Sequence, residues 1–210
     1  MIYQHFEYTK KEQEMKKFLT LILGILFFLS LDNAKSQMPC PSWATQWQVY
    51  QFTVGNCDYL ATICWDCPAN AGVSWIAVSS VRKVDQHCNN IYNFQQVKQR
   101  IYDQINTYEW LSGLCASGIP PCNNQFRYGI RDYNCWYKYN NGGIIEYYVC
   151  DYTTWCEQEW QICWDHLHGP IKQPVSNWTQ KGGTPNCSGI EPGNPPDGQS
   201  SACWPASTCP

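Results

Sequence analysis

Residues Trp47 to Val54 alternate between apolar and polar side chains, and Gly55-Asn56 follows with glycine at the first position of a two-residue turn. The spacing predicts a hairpin closed by Val54 and Cys57, with Phe52 opposite Tyr59 and Tyr50 opposite Ala61. Side chains change face at every strand residue, so Tyr50, Phe52, Val54, Tyr59, Ala61 and Ile63 share one face, the predicted core side. Gln51, Thr53, Asp58 and Thr62, with Leu60 and Cys64, form the other. Cys57 and Cys64 are an odd number of residues apart. They leave a regular strand on opposite faces and are not expected to bond each other.

Residues 68–72 end this hairpin. Val73 to Val84, β-branched and alternating, reads as a third strand, and Cys88 with Asn89-Asn90 breaks the chain. Asn93 with Gln96 three residues on has the form of a helix capping box. Phe94, Val97, Ile101, Ile105 and Tyr108 recur at intervals of three and four. They predict an amphipathic helix over about 93–111 that Gly113 stops, with Gln95, Lys98, Gln99, Arg100 and Asp103 outside its apolar stripe.

Cys115 to Cys122, with Pro120-Pro121, is a predicted loop. Phe126 to Tyr139 and Ile144 to Tyr152 flank Asn140-Asn141-Gly142-Gly143, a strong hairpin signal. An Asn141-Gly142 turn places Cys135 opposite Tyr148; a Gly142-Gly143 turn places it opposite Cys150. The type I′ preference for Asn-Gly favours the first. Cys156 to Trp164 is a further predicted strand, His166 to Trp178 a loop, and residues 181–210 a Gly/Pro-rich tail. The pattern Cys-x6-Cys-Trp-Asp occurs at Cys57 to Asp66 and again at Cys156 to Asp165, which suggests two related β-units, one of them carrying the helix. The fold class expected is α+β and β-dominated: a small, disulfide-rich secreted domain of antiparallel hairpins and one helix.

The N-terminus stands apart from these patterns. Met15-Lys16-Lys17 opens a basic region, Phe18 to Leu31 is an apolar run, and Ala34-Lys35-Ser36 offers small residues for cleavage before Gln37. That order describes a signal peptide at 15–36. The run is shorter than the roughly 20 residues that span a bilayer, so no stable membrane span is expected after cleavage. Residues 1–14 are polar and read as an extension upstream of a true start at Met15. The remaining chain divides into a 37–112 unit, a 113–180 unit packed with it as one domain, and the 181–210 tail.

Composition adds the compartment. All fourteen cysteines follow the leader: Cys40, Cys57, Cys64, Cys67, Cys88, Cys115, Cys122, Cys135, Cys150, Cys156, Cys163, Cys187, Cys203 and Cys209. That is about 8% of residues 37–210, the density of a disulfide scaffold in a secreted or periplasmic protein. The first unit holds five cysteines, the second six and the tail three. Complete pairing therefore sends at least one bridge out of the first unit and one out of the tail, possible partners including each other. Residues 37–210 carry 9 basic and 13 acidic side chains with no basic cluster, which argues against nucleic acid as a partner.

Candidate chemistry is sparse. Cys64-Trp-Asp-Cys67 has the spacing of a dithiol redox site, but it ends a strand and runs into Pro68 instead of opening a helix, which favours structural cysteines bonded elsewhere. Cys163, His166 and His168, with His87-Cys88, are of metal-ligand type. In an oxidising compartment their cysteines go to disulfides, and no metal or other cofactor is expected. Asp66, Asp165, Glu157 and Glu159 offer carboxylates for glycoside hydrolysis, which needs a pair held at a defined separation. No catalytic residue is assigned. The aromatic load, 11 Trp and 12 Tyr after residue 36, suits a core packed against cystines, Trp65, Trp75 and Trp164 included. It also suits contact with a protein or glycan at the cell exterior. Trp155 and Trp160 fall on opposite strand faces. The expected function is a non-catalytic extracellular binding or structural module. The alternatives are a small secreted hydrolase acting on glycans and a subunit of an extracellular assembly.

Overall fold

The computed structural model describes residues 40–67, 72–85, 87–89, 91–115, 118–124, 126–207 and 209. The expected upstream extension at 1–14, signal peptide at 15–36 and cleavage site before Gln37 lie outside these, as does most of the 68–72 turn. Among the described residues, no helix is long and apolar enough to cross a membrane.

The fold is a β-dominated α+β domain, an eight-stranded, mostly antiparallel sheet with helices against one face. β1 (Gln46–Val54) and β2 (Cys57–Trp65) form the predicted hairpin in the predicted register, Val54 opposite Cys57 and Phe52 opposite Tyr59. Gly55 has φ +66°, a conformation that costs glycine no Cβ clash and closes the turn. Phe52, Val54, Tyr59, Ala61 and Ile63 are buried on one side. β3 (Ser74–Lys83) pairs antiparallel with β2, with one extra residue, Ser79, bulged between its pairs to Thr62 and Ile63.

The helical segment is two helices, α1 (Phe94–Ile105) and α2 (Tyr108–Leu114), where a single helix over 93–111 was expected. The capping box forms as predicted: Asn93 Oδ1 accepts from Gln96 N at 2.9 Å, and Gln96 Oε1 accepts from Asn93 N at 3.0 Å. The break falls at Asn106-Thr107, both poor helix formers. Tertiary bonds hold it there: Asn106 Oδ1 accepts from the Tyr128 hydroxyl at 2.6 Å, and the Asn106 carbonyl from Lys172 Nζ at 2.6 Å. Gly113 lies inside α2 and stops nothing. Lys98 is a second departure. It was placed on the polar side but is 1% exposed, buried with Phe94, Val97, Ile101, Tyr102 and Ile105.

β4 (Phe126–Asn141) and β5 (Ile144–Asp165) form one long hairpin. Its turn is Gly142-Gly143, with φ +63° and +86°, and Asn141 pairs with Ile144. Both turn positions need positive φ, and a pair of glycines meets that at less cost than Asn-Gly one residue earlier. Between Tyr133–Trp155 and Cys135–Asp151 the register shifts, with Tyr152 to Thr154 bulged out. Asp151 fills this bulge, accepting from Thr153 N at 2.8 Å and from the hydroxyls of Thr153 and Thr154. The segment from Cys156 to Trp164 is thus the distal half of β5 and not a strand of its own. The bulge also lets the ribbon turn over: β3 pairs parallel with β4 at Ser74–Ala77, then antiparallel with β5 at Ser80–Arg82.

The predicted loop at 166–178 contains β6 (Gly169–Pro174), which pairs with the end of β5; β7 (Thr179–Lys181) pairs with β5 at Trp155–Glu157. The tail lies along β4. Ser201 N donates to Lys138 O, Gly198 N to Asn140 O and Ala206 N to Asn134 O, each at 2.8 Å. β8 (Trp204–Pro205) pairs with Cys135 and Trp136.

The cysteines pair as Cys40–Cys64, Cys57–Cys88, Cys67–Cys115, Cys122–Cys163, Cys135–Cys187, Cys150–Cys203 and Cys156–Cys209, leaving none free. The first unit sends Cys67 outward and the tail sends all three, every one of them to the 113–180 unit and none between first unit and tail. The two Cys-x6-Cys-Trp-Asp segments differ in their surroundings. Trp65 is buried and donates its indole N–H to Leu114 O at 3.2 Å, whereas Trp164 is 37% exposed, against the expectation of a core residue.

Candidate functional site

The strand register defines a second sheet face, opposite the helices. Across it run the rows Trp47–Cys64–Ala77–Arg131–Glu157 and Val49–Thr62–Ser80–Tyr148. Trp47 is 44% and Val49 46% exposed, the largest apolar surfaces of β1.

At one end Arg131 is boxed by indoles. Its guanidinium carbon lies 4.1 Å from the ring centre of Trp75, 5.0 Å from Trp155 and 5.1 Å from Trp43. Each such contact contributes about 0.5–2 kcal/mol, more when water is excluded. Gly129 makes room for the box. It pairs with Trp75, and a Cβ there would stand 2.2 Å from Trp75 Cζ3, so only glycine lets the indole lie across β4. Glu157 closes the side, 3.5 Å from Arg131 Nε and 3.3 Å from Lys181 Nζ, and accepts from the Trp155 indole at 2.8 Å. The Trp43 indole donates to the Tyr133 hydroxyl at 2.9 Å. Burial pushes that phenol up to about 12, so it stays a protonated hydroxyl at neutral pH.

At the other end is a shallow depression of about 180 Å³ lined by Val49, Leu60, Thr62, Ser80, Val81, Arg82, Glu146 and Tyr148. Arg82 Nη1 lies 3.6 Å from Glu146 Oε1, and the Tyr148 hydroxyl donates to Glu146 Oε2. Burial, with the Glu146 carboxylate beside it, holds the Tyr148 phenol well above its usual range. Ser80 Oγ donates to Thr62 Oγ1 at 2.7 Å. The depression therefore presents a guanidinium, a carboxylate, a phenol and two hydroxyls next to the apolar side chains of Val49 and Leu60.

No known protein family, no curated protein and no solved structure matches the chain.

The residues singled out in the sequence are not brought together. Cys64 and Cys67 are bonded to Cys40 and Cys115, so the CxxC pair forms no dithiol. Cys163 and Cys88 are likewise consumed, leaving His166 and His168 without a thiolate between them. His168 Nδ1 lies 2.9 Å from Asp165 Oδ1. Asp165 also accepts from the backbone N–H groups of Leu167 and His168, and these bonds hold its carboxyl below the ordinary range. It caps the β5–β6 turn. Asp66 Oδ1 accepts from Trp75 N at 2.6 Å and caps the start of β3. Trp75 pairs with Gly129 and Gly129 with Glu159, six residues before Asp165, so the two aspartates stand on the order of 20 Å apart at ordinary strand spacings. Glu157 and Glu159 do share a face, but Glu157 is tied to Arg131 and Lys181, and Glu159 to Arg127.

A buried charged cluster, like Arg82, Arg131 and Glu146 of the second face, was not legible as a site in the sequence. Buried Lys98 Nζ lies 2.7 Å from Asp132 Oδ1, donates to Ser207 Oγ, and sits 5.3 Å from the ring centre of Trp136. Ser207 Oγ donates in turn to Asp132 Oδ2 at 2.7 Å. Burial lowers the Lys98 pKa, and the Asp132 carboxylate opposes that. A serine beside a lysine invites a nucleophilic reading, yet the depression beside Val49 and Tyr148 does not include it. The cluster ties α1, β4 and the tail together. The signal was present in the spacing: Lys98 is four residues after Phe94 and three before Ile101, on the apolar stripe itself.

Proposed function

We propose that this is an exported, non-catalytic binding module that holds a glycan on the sheet face opposite the helices. The observation that carries it is the pairing, on that face, of flat exposed apolar groups with anchored hydrogen-bonding groups. Trp47 and Val49 stand open, and Arg82, Glu146, Tyr148, Ser80 and Thr62 converge beside them. Sugar rings present apolar C–H faces and rims of hydroxyls, and a surface with both features complements them. The carboxylates meanwhile are each committed to caps and ion pairs. Seven disulfides fit an oxidising compartment, and the leader read in the sequence supports export.

A glycan array with the oxidised protein, followed by calorimetry on any hit, tests this. Binding that weakens at least tenfold in Trp47→Ala and in Arg82→Ala, with unchanged circular dichroism, is expected. A folded protein that binds no glycan, or whose variants bind as well as the parent, overturns the reading. Shortening of a bound oligosaccharide overturns its non-catalytic part, and saturable binding to a purified surface protein alone overturns the choice of glycan.

A further inference from the structure

We infer that two copies of the chain join edge to edge through β1, as a closed two-fold dimer with a continuous sheet. The argument begins with which backbone groups of β1 are free. Asp58 O accepts from Val84 N at 2.9 Å, so the main-chain groups of Asp58 point to β3. Those of Cys57 and Tyr59 therefore point to β1, where they meet Val54 and Phe52. Alternation then turns the N–H and C=O groups of Thr53, Gln51, Val49 and Trp47 away from the sheet. Thr53 O is used, accepting from Gln104 Nε2 at 2.9 Å. Among the described residues β2 is the only strand paired with β1, which ends the strand order. Trp47, Val49 and Gln51 thus form an open edge.

Nothing in β1 blunts that edge. The nine residues from Gln46 to Val54 include no charge, no proline and no glycine, and no bulge interrupts the ladder with β2. Sheet edges that must stay single usually carry one of these features, and an uncharged, β-prone edge without them is a template for another strand. The opposite edge makes the contrast. β6 has Pro170 and Pro174 with Lys172 between them, and β7 is three residues long and ends at Lys181. A strand arriving there finds missing N–H groups and lysines.

The contrast selects the occupant. Head-to-tail growth needs a second receptive edge, and among the described residues β6, β7 and the two-residue β8 with its Pro205 offer none. The edge that is open is uncharged, so its own copy meets no like charge across it. An isologous contact, β1 against β1, satisfies both conditions and closes on itself. Centred on the free residues, it sets Val49 opposite Val49 of the second copy and Trp47 opposite Gln51 of the second copy. The two glycan faces then lie side by side in one sheet, although the dimer rests on the edge alone and not on the glycan reading.

Sedimentation equilibrium of the oxidised protein over a wide concentration range is the test. A reversible monomer–dimer equilibrium is expected. Val49→Pro removes an N–H that points out of the sheet and is tolerated on an edge, so it should give a folded monomer. Val49→Lys, which places like charges opposite each other, should weaken dimerisation at least tenfold and regain part of it in high salt. A wild-type protein that is monomeric throughout overturns the inference. So does a monomer whose β1 amides are protected from hydrogen exchange by the N-terminal residues, an open-ended polymer, or a dimer that both variants leave intact. A monomer that binds glycan refutes this inference alone; a dimer that binds none refutes only the proposed function.

Discussion

The Lys98–Asp132–Ser207 cluster gives the sharpest test of how the tail is held. In Lys98→Met the ammonium goes, and the mostly buried Asp132 keeps its charge with only the Ser207 and Tyr102 hydroxyls beside it. Removing one partner of a buried pair costs about 3–5 kcal/mol, because the survivor stays desolvated and unpaired. A domain of this size loses about 2–4 °C of melting temperature per kcal/mol, so Lys98→Met should melt roughly 6–20 °C lower. Asp132→Leu should cost as much, stranding the ammonium. The double variant Lys98→Met/Asp132→Leu removes both charges at similar volume. It should lie within about 1–2 kcal/mol of the parent, limited by the lost acceptor for Ser207. Calorimetric melts of all four proteins, with disulfides intact, give the coupling energy directly. Single variants that melt with the parent, or a double variant that falls by the sum of the singles, would refute the idea that the two groups act as a buried pair.

Other tests follow from the same geometry. Burial raises the phenols of Tyr102, Tyr128, Tyr133, Tyr147, Tyr148 and Tyr152, the last to about 12. Their unfolded value is about 10, so the folded state holds more protons above that pH. The stability they contribute is complete below pH of about 10 and lost as pH rises through the folded values. Tyrosinate absorbance should therefore appear in two steps, exposed phenols first and the buried set with unfolding; one smooth titration near the ordinary value would contradict it. Gly129→Ala should displace Trp75 from Arg131, shift tryptophan fluorescence and cost about 1–3 kcal/mol by denaturant titration. Replacing Cys67 and Cys115 together by serine opens a loop of 48 residues' separation and should cost about 4 kcal/mol on the chain-entropy estimate.

What could be read from the chain was what local rules decide. The β1–β2 register followed from a two-residue turn and an unbroken alternation, and the start of α1 from a reciprocal cap. What escaped depends on contacts far away in sequence. The helix ends at Asn106 because Tyr128 and Lys172 bind it there. The Gly142-Gly143 turn competes with a neighbouring Asn-Gly of similar propensity, and the Asp151 bulge then resets the register that the turn begins. β6 carries two prolines, which mark loops in any local reading, yet proline is tolerated on an outer strand. The face proposed to hold a glycan was hidden for another reason. Its rows are assembled from five strands, and the Ser79 bulge reverses the parity that links Ala77 to Ser80, so no single stretch of sequence displays it.

The disulfide connectivity has a consequence for how the protein must be made. Taken in order along the chain, no cysteine is bonded to the next one: Cys40 passes over Cys57 to reach Cys64, and Cys122 passes over three others to reach Cys163. An oxidant that joined thiols pairwise in the order of their synthesis would make every bond wrong. The last three bridges wait for the final residues to be synthesised, since Cys187, Cys203 and Cys209 are the partners of the β4–β5 ribbon. Production of correctly bonded protein is thus tied to a disulfide isomerase or to an oxidant slower than folding, and yield in a host strain should track the first of these more closely than the strength of the promoter.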